Sequence, residues 1–232
     1  MKIEFWSDIV CPWCGLTEHR LELALARFEH RADVDLVHRS FQTHPDLPRE
    51  GVTQKQLLAM HHIDPANADR ILGPIERFAE SEGLQPYRAI ERTLGPTDYA
   101  HELLAYATEK GLHAQAWESM FRAHFGEARN LWTIDEVVAF ASEIGLDPLE
   151  TRAVLEGRKY KPIVDRDQLE AQRLGATGTP YILIDGKYVL AGARDTESLL
   201  AAMQQVWRET RPAEVLVTLG SQSEACSVDG CE

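Results

Sequence analysis

The chain has 232 residues, of which 24 are Lys or Arg and 37 are Asp or Glu, so its formal net charge is −13. Its 44% hydrophobic and 26% charged residues, with 15 glycines and 11 prolines, are ordinary for a globular protein and exclude a collagen-like, disordered or disulfide-dense scaffold. The acidic balance argues against nucleic-acid or anionic-membrane partners, which both require a positive field, and no apolar run reaches the roughly 18 to 20 residues of a membrane span.

The first segment, residues 1–50, carries alternating strand and helix signals. Residues 3–6 form an apolar run that predicts a buried strand. After the Cys-Pro-Trp-Cys sequence at 11–14, apolar residues recur with helical spacing from Leu21 onward and predict a helix to about Arg31. Residues 34–41 predict a second strand.

The second segment, residues 51–160, is predicted to be an all-helical insertion. Breaks at Gly73-Pro74, Gly95-Pro96, Gly111, Gly126 and Gly145 divide it into four or five helices. The sequence Thr-Ile-Asp-Glu at 133–136 matches a capping box, with the Thr133 side chain at the helix start and Glu136 reaching back.

The strand-and-helix pattern returns in residues 161–211. A helix at about 163–174 ends before Gly175, and a strand at 181–184 follows Gly178-Thr179-Pro180. Asp185-Gly186 predicts a hairpin turn into a strand at 188–190, and Asp195 or Thr196 caps a last helix. Residues 212–232 form a short tail that contains a Cys-x4-Cys pair. The fold class is therefore α/β with a helical insertion.

The amino-terminal residues lack the pattern of a secretory signal, because Glu4 and Asp8 interrupt the first apolar run. We therefore expect a cytoplasmic protein. In that compartment a close cysteine pair is more often catalytic or metal-binding than structural.

The pair Cys11 and Cys14 lies between a predicted strand and a predicted helix. At a helix N-terminus, unpaired N–H groups and the helix dipole favour the thiolate, which is the form that attacks disulfides. Cys11 is therefore the predicted nucleophile, and Cys14, one turn later, is the thiol that resolves the mixed disulfide. Pro12 holds the turn without donating a hydrogen bond, and Trp13 gives an apolar face beside the sulfurs.

A Cys-x-x-Cys sequence is also half of a zinc site, whose other half normally comes as a second close pair. Cys226 and Cys231 would supply that half only if the fold brought the far end of the chain back to Cys11 and Cys14. We therefore predict no metal site, and a zinc-holding or redox-sensing binding module remains the non-enzymatic alternative.

Three segments together resemble the DsbA family of thioredoxin-fold proteins, and within it the FrnE branch. They are Ser-Asp-x-x-Cys-Pro-Trp-Cys at 7–14, Phe-x-x-x-Pro-Asp-Leu-Pro at 41–48 and Gly-x-x-Gly-Thr-Pro at 175–180. The resemblance implies a thioredoxin-like fold interrupted by a helical domain, with thiol–disulfide oxidoreductase or isomerase activity. It also implies a cis peptide bond before Pro180, in a loop that faces Cys11, where the backbone of Thr179 pairs with an extended substrate.

Two departures from related sequences affect the expected activity. Strongly oxidising members of the family carry a histidine between the cysteines, and Trp13 cannot stabilise a thiolate as that histidine does. We therefore expect a less oxidising pair that favours reduction or isomerisation. The kappa-class-like glutathione-dependent isomerases and transferases have a serine where Cys11 stands, so two cysteines favour disulfide exchange. A glutathione-dependent small-molecule enzyme remains the enzymatic alternative.

The second cysteine pair, Cys226 and Cys231, would close a ring of six residues. A ring this small gives little stability through loop closure, so a structural disulfide explains it poorly. A redox relay to Cys11 and Cys14, an independent disulfide and metal capture are the three interpretations, of which the relay is favoured. The expected partners are protein disulfides and thiols, together with the thiol redox system. No bound cofactor is expected: the chemistry would rest on redox-active disulfides, with glutathione as a candidate electron donor.

Overall fold

The computed structural model describes residues 1–211, so the predicted tail with Cys226 and Cys231 lies outside the described residues. The strands and helices follow one another along the chain as β1 (Lys2–Ser7), α1 (Pro12–Arg27), β2 (Asp35–Ser40), β3 (Val52–Thr53), α2 (Gln54–Met60), α3 (Ala68–Ser81), β4 (Thr93–Leu94), α4 (Asp98–Glu109), α5 (His113–Phe121), α6 (Ile134–Glu143), α7 (Pro148–Glu156), α8 (Lys161–Arg173), β5 (Tyr181–Ile184), β6 (Tyr188–Ala191) and α9 (Thr196–Thr210). No helix within residues 1–211 has the length and apolar character needed to cross a bilayer.

A four-stranded sheet in the order β2-β1-β5-β6 forms the centre of the α/β part. β1 pairs in parallel with β2 and antiparallel with β5, which places Trp6 opposite Tyr181. Side chains alternate across β1: Ile3 and Phe5 join the core formed with α1 and α9, whereas Trp6 packs with α8 residues on the opposite face. The sheet is therefore covered by helices on both faces, and the α/β prediction is confirmed.

The insertion between β2 and α8 differs in detail from the prediction. Six α-helices, α2 to α7, lie between residues 53 and 157, rather than four or five, and the short strands β3 and β4 pair antiparallel at its base. The predicted break at Gly73-Pro74 is wrong, because Pro74 lies inside α3. The apolar face of α3, which includes Leu72 and Ile75, packs against Leu16 of α1. This burial offsets the roughly 3 kcal/mol that an internal proline costs a helix.

Local signals at several other helix ends and turns match the structure, but α1 ends at Arg27 and not at about Arg31 as predicted, because the backbone of Phe28 is already extended. Both hydrogen bonds of the predicted capping box at Thr133 and Glu136 are present at the start of α6. Asp185 and Gly186 both have positive φ in the hairpin between β5 and β6, as a two-residue turn of this kind requires. Of the two predicted caps for α9, it is Asp195 that accepts the hydrogen bond from the helix.

One apolar cluster runs from the sheet into the insertion. It joins Ile3 and Phe5 of β1 with Leu103 of α4, Val137 of α6 and Leu155 of α7. The helical insertion therefore packs directly against the α/β part beside the start of α1. The division of the chain at residues 50, 160 and 211 stays a prediction.

Candidate active site

The Cys-Pro-Trp-Cys sequence forms the start of α1. Cys11 is the N-cap residue, Pro12 is the first helical residue, and the backbone N–H of Cys14 donates to Cys11 O at 2.9 Å. Pro12 fits this position because its missing N–H would have no partner inside the helix. Both cysteines are free thiols, with Cys11 partly exposed and Cys14 fully buried. The two thiols therefore differ in access to a substrate.

The loop that ends in Pro180 faces Cys11. The Thr179–Pro180 peptide bond is cis, and the Cys11 thiol lies with Sγ 3.6 Å from Thr179 O, to which it donates. The pairing of Trp6 with Tyr181 brings this loop to the end of β1, next to the start of α1. The structure thus joins Cys11 and Thr179, which are 168 residues apart in the chain.

The pKa values of the two thiols are shifted in opposite directions. The hydrogen bond from the Cys14 thiol, with a further contribution from the side-chain hydroxyl of Thr179, lowers the pKa of Cys11 against the opposing effects of burial and of the Asp8 carboxylate. Burial, with the added effect of a Cys11 thiolate, raises the pKa of Cys14 well above its ordinary value. At neutral pH Cys11 is therefore the more readily ionised sulfur, and Cys14 holds its proton.

A buried carboxylate, that of Asp8, lies behind the dithiol. It is fully buried, accepts hydrogen bonds from Thr43 N at 2.7 Å and Thr43 Oγ1 at 2.6 Å, and its Oδ1 lies 3.4 Å from His101 Nε2. Burial opposes ionisation, but His101 and Thr43 outweigh it and lower the pKa of Asp8. His101 is fully buried beside this carboxylate.

Tyr87, which the sequence analysis missed, holds the active-site turn from the insertion. Its hydroxyl donates to Pro12 O, and its ring stacks on Phe125 with centroids 4.6 Å apart. A Cβ at Gly15 would lie 2.6 Å from the Tyr87 hydroxyl, so position 15 has no room for a larger residue. The glycine directly after Cys14 is the one sequence signal for such a close approach.

Trp13 is half-buried and packs on the apolar cluster of α3. Its ring centroid lies 6.3 Å from that of Phe78, a side chain that is 47% exposed. Trp13 therefore extends an apolar surface from the dithiol onto α3.

Residues 1–211 contain no group of three or more His, Cys, Asp or Glu side chains arranged to hold a metal ion. A site shared by Cys11 and Cys14 with Cys226 and Cys231 would include residues outside the described part of the chain.

Comparison with known proteins identifies relatives of this arrangement. The family model of the DSBA-like thioredoxin domain matches residues 2–204. A solved structure described as a probable DsbA oxidoreductase from Streptomyces coelicolor is 36% identical, with a TM-score of 0.86 over 100% of this chain and 98% of that one. The uncharacterized protein YwbO of Bacillus subtilis is 27% identical over 83% of this chain and 90% of its own length.

Two more distant structures share the fold at lower identity. A 2-hydroxychromene-2-carboxylate isomerase is 15% identical, with a TM-score of 0.69 over 93% of this chain and 100% of that one. The cytosolic disulfide reductase DsbM of Pseudomonas aeruginosa, in a structure with GSH, is 18% identical, with a TM-score of 0.61 over 90% of this chain and 100% of that one.

Proposed function

The chain belongs to the family of DSBA-like thioredoxin domains, a family of thiol–disulfide oxidoreductases, and we propose that it reduces or isomerises disulfides of protein substrates through Cys11 and Cys14. The observation that carries the proposal is the asymmetry of the pair. An accessible thiol of lowered pKa caps a helix, and a buried thiol of raised pKa lies one turn later. A nucleophile and a resolving thiol require this difference.

In the proposed reaction the Cys11 thiolate attacks one sulfur of a substrate disulfide. The substrate S–S bond breaks, a disulfide between Cys11 and the substrate forms, and the departing substrate thiolate takes up a proton. Cys14 then loses its proton and attacks Cys11 Sγ, which releases the second substrate thiol. Two electrons have passed to the substrate, and Cys11 and Cys14 are left as a disulfide.

The high pKa of Cys14 does not block the second step. Two of its causes, the hydrogen bond with Cys11 and the negative charge of the Cys11 thiolate, disappear once Cys11 is bonded to the substrate. The pKa of Cys14 then falls, although burial, the largest of its causes, still holds it above its ordinary value. Cys14 is therefore protected before substrate binds and becomes a nucleophile when it is needed.

Thr179 and Pro180 are the proposed substrate-binding residues. Thr179 O lies 3.6 Å from the nucleophilic sulfur, so an extended substrate backbone that pairs with Thr179 would bring its disulfide to Cys11. Trp13 and the exposed Phe78 would border such a chain with apolar surface.

Glutathione is the proposed electron donor and the cytosol the proposed compartment. Two glutathione molecules reduce the Cys11–Cys14 disulfide and leave as one oxidised glutathione, which balances the two electrons given to the substrate. The support is that DsbM, a cytosolic reductase of the same fold, has a structure with GSH. Trp13 in place of an ionisable residue supports a reducing or isomerising direction, and titration of the pair against glutathione tests it: a pair as oxidising as the strongest members of the family would contradict it.

Cys226 and Cys231 are proposed as a relay that exchanges electrons with Cys11 and Cys14. The test is to replace both tail cysteines by serine and to follow the redox state of the Cys11–Cys14 pair during turnover with glutathione. Slower re-reduction supports the relay. Unchanged turnover and redox state would exclude it.

Insulin reduction in the presence of glutathione tests the main proposal. Cys11→Ser should abolish activity, and Cys14→Ser should lose turnover while accumulating a mixed disulfide with the substrate. The alternative is a glutathione-dependent small-molecule enzyme, and one structural neighbour is described as a 2-hydroxychromene-2-carboxylate isomerase. Such an enzyme would instead keep activity on its small substrate without Cys14. Full insulin reduction by Cys11→Ser would refute the proposal.

A further inference from the structure

Arg92, in the segment just before β4, is buried beneath the active-site turn, with 6% of its surface exposed. Nη1 donates to Val10 O at 2.8 Å, and Val10 is the residue directly before Cys11. Nε donates to Ala89 O at 3.1 Å and Nη2 to Gln54 Oε1 at 3.1 Å. The guanidinium therefore joins the start of the dithiol sequence to two parts of the insertion.

The fourth partner of Arg92 is His124, whose Nε2 lies 2.7 Å from Nη1. His124 Nδ1 faces the carbonyl of Arg129 at 3.1 Å and must donate to it, so Nε2 carries no proton and accepts from Arg92. Burial, together with the charge of Arg92, lowers the pKa of His124 to about 3. The positive charge of this buried pair therefore resides on Arg92.

No carboxylate within residues 1–211 lies within 4.0 Å of the Arg92 guanidinium. Burial lowers the pKa of Arg92 to about 10, and negative charge on Cys11, Asp8 and Glu76 raises it in opposition. Attraction between two charges is mutual, so the cation that gains from a Cys11 thiolate also stabilises that thiolate. A buried cation without a contacting carboxylate exerts this effect with little screening.

The other ionisable groups near the dithiol do not replace Arg92. The Asp8 carboxylate opposes a Cys11 thiolate. Burial lowers the pKa of His44, which disfavours a second cation there. Burial raises the pKa of Tyr87 well above its ordinary value, so Tyr87 stays neutral. The Glu76 carboxylate accepts from the backbone N–H groups of two residues in the segment ahead of Arg92.

We propose that Arg92 is a positioning residue for the dithiol: its guanidinium fixes the Val10 carbonyl beside Cys11 and supplies the buried positive charge that favours the Cys11 thiolate. The inference rests on the proposed function, because a stabilised thiolate matters for an enzyme whose nucleophile is Cys11. It concerns the ionisation of Cys11, which is measured without a protein substrate.

The test compares Arg92→Gln, which removes the charge, with Gln54→Glu, which gives Arg92 a carboxylate partner while keeping the hydrogen-bond acceptor. Thiolate ultraviolet absorbance should show that each raises the pKa of Cys11 by about one unit, a tenfold lower thiolate fraction below the pKa. Reaction of Cys11 with a small disulfide should slow about threefold to fourfold, since the more basic thiolate is also more nucleophilic. Two control variants make the same charge changes elsewhere: Arg129→Gln at a residue paired with Glu143, and Gln56→Glu at an exposed position. Both should leave the pKa of Cys11 unchanged.

If Arg92→Gln fails to fold, Gln54→Glu, whose side chain has the same shape, still overturns the proposal when it leaves the pKa of Cys11 unchanged. An unchanged pKa of Cys11 in a folded Arg92→Gln or Gln54→Glu protein would overturn the proposal, as would an equal rise in the two control variants. These outcomes differ from the result that would contradict the proposed function, which is insulin reduction by the Cys11→Ser variant.

Discussion

Replacing Gly15 by alanine should destabilise the protein by crowding Tyr87. The new Cβ would lie 2.6 Å from the Tyr87 hydroxyl and 3.0 Å from Phe125 Cδ2, both closer than van der Waals contact. Overpacking of this kind costs about 1–3 kcal/mol, and the better helix propensity of alanine returns about 1 kcal/mol. The expected net loss is about 1 kcal/mol.

The Tyr87→Phe background isolates the part of this cost that the hydroxyl causes. Tyr87→Phe alone should lose about 1 kcal/mol, because the Pro12 carbonyl loses its donor. In that background the closest contact of the new Cβ is gone, so the Gly15→Ala substitution should cost close to zero. The coupling free energy between positions 15 and 87 should then be about 1 kcal/mol, above the few tenths expected for independent sites.

Urea unfolding of the reduced proteins, analysed by linear extrapolation, measures all four states of this cycle. Gly73→Ala is the matched control, since its Cβ would meet only the flexible tip of Arg77 at 3.1 Å and should stabilise α3 or leave its stability unchanged. A coupling below about 0.3 kcal/mol, or a Gly15→Ala protein as stable as the Gly73→Ala protein, would refute the argument.

Single contacts elsewhere in the protein give three further predictions. Asp8→Asn keeps an acceptor for Thr43 but removes the charge that opposes a Cys11 thiolate, so thiolate absorbance should show a lower pKa of Cys11; a higher pKa would contradict this. The pKa of His124 in the folded protein, about 3, lies below its ordinary value of 6.5. Between these two pH values the unfolded chain binds a proton that the folded protein does not. The free energy of unfolding should therefore fall by about 1.4 kcal/mol for each pH unit as the pH drops from 6.5 to about 3. His124→Gln should reduce that slope in urea titrations at several pH values, and an identical slope would show that other groups cause it. Thr133→Ala should lose about 1 kcal/mol through the α6 cap without changing the pKa of Cys11, and a changed pKa would mean that this cap influences the site.

Features that depend on neighbouring residues were predictable from the sequence. The cap at Thr133, the turn at Asp185 and Gly186, and the helix start at Pro12 each involve residues within about four positions of one another. Backbone sterics and short-range hydrogen bonds determine such features, so the residue types alone indicate them.

The exception among the local signals is Pro74, a residue whose type predicts a helix end. Proline removes a helical hydrogen bond, but the burial of α3 against α1 outweighs that local cost. A signal of about 3 kcal/mol can therefore be overridden by packing that the local sequence does not reveal.

The residue order alone indicates that a Cys-x-x-Cys pair caps a helix after a strand, and this identifies Cys11 and Cys14 as the candidate dithiol. The family resemblance adds the Pro180 loop, with Thr179, beside Cys11. The other groups around the dithiol depend on the packed chain: the Asp8 carboxylate behind it, Tyr87 on the Pro12 carbonyl, and the buried cation of Arg92. These groups come from distant parts of the chain, and their electrostatic effects depend on exclusion of water. Proximity and burial arise when the sheet and the insertion pack together, and neither is encoded in the spacing of a motif.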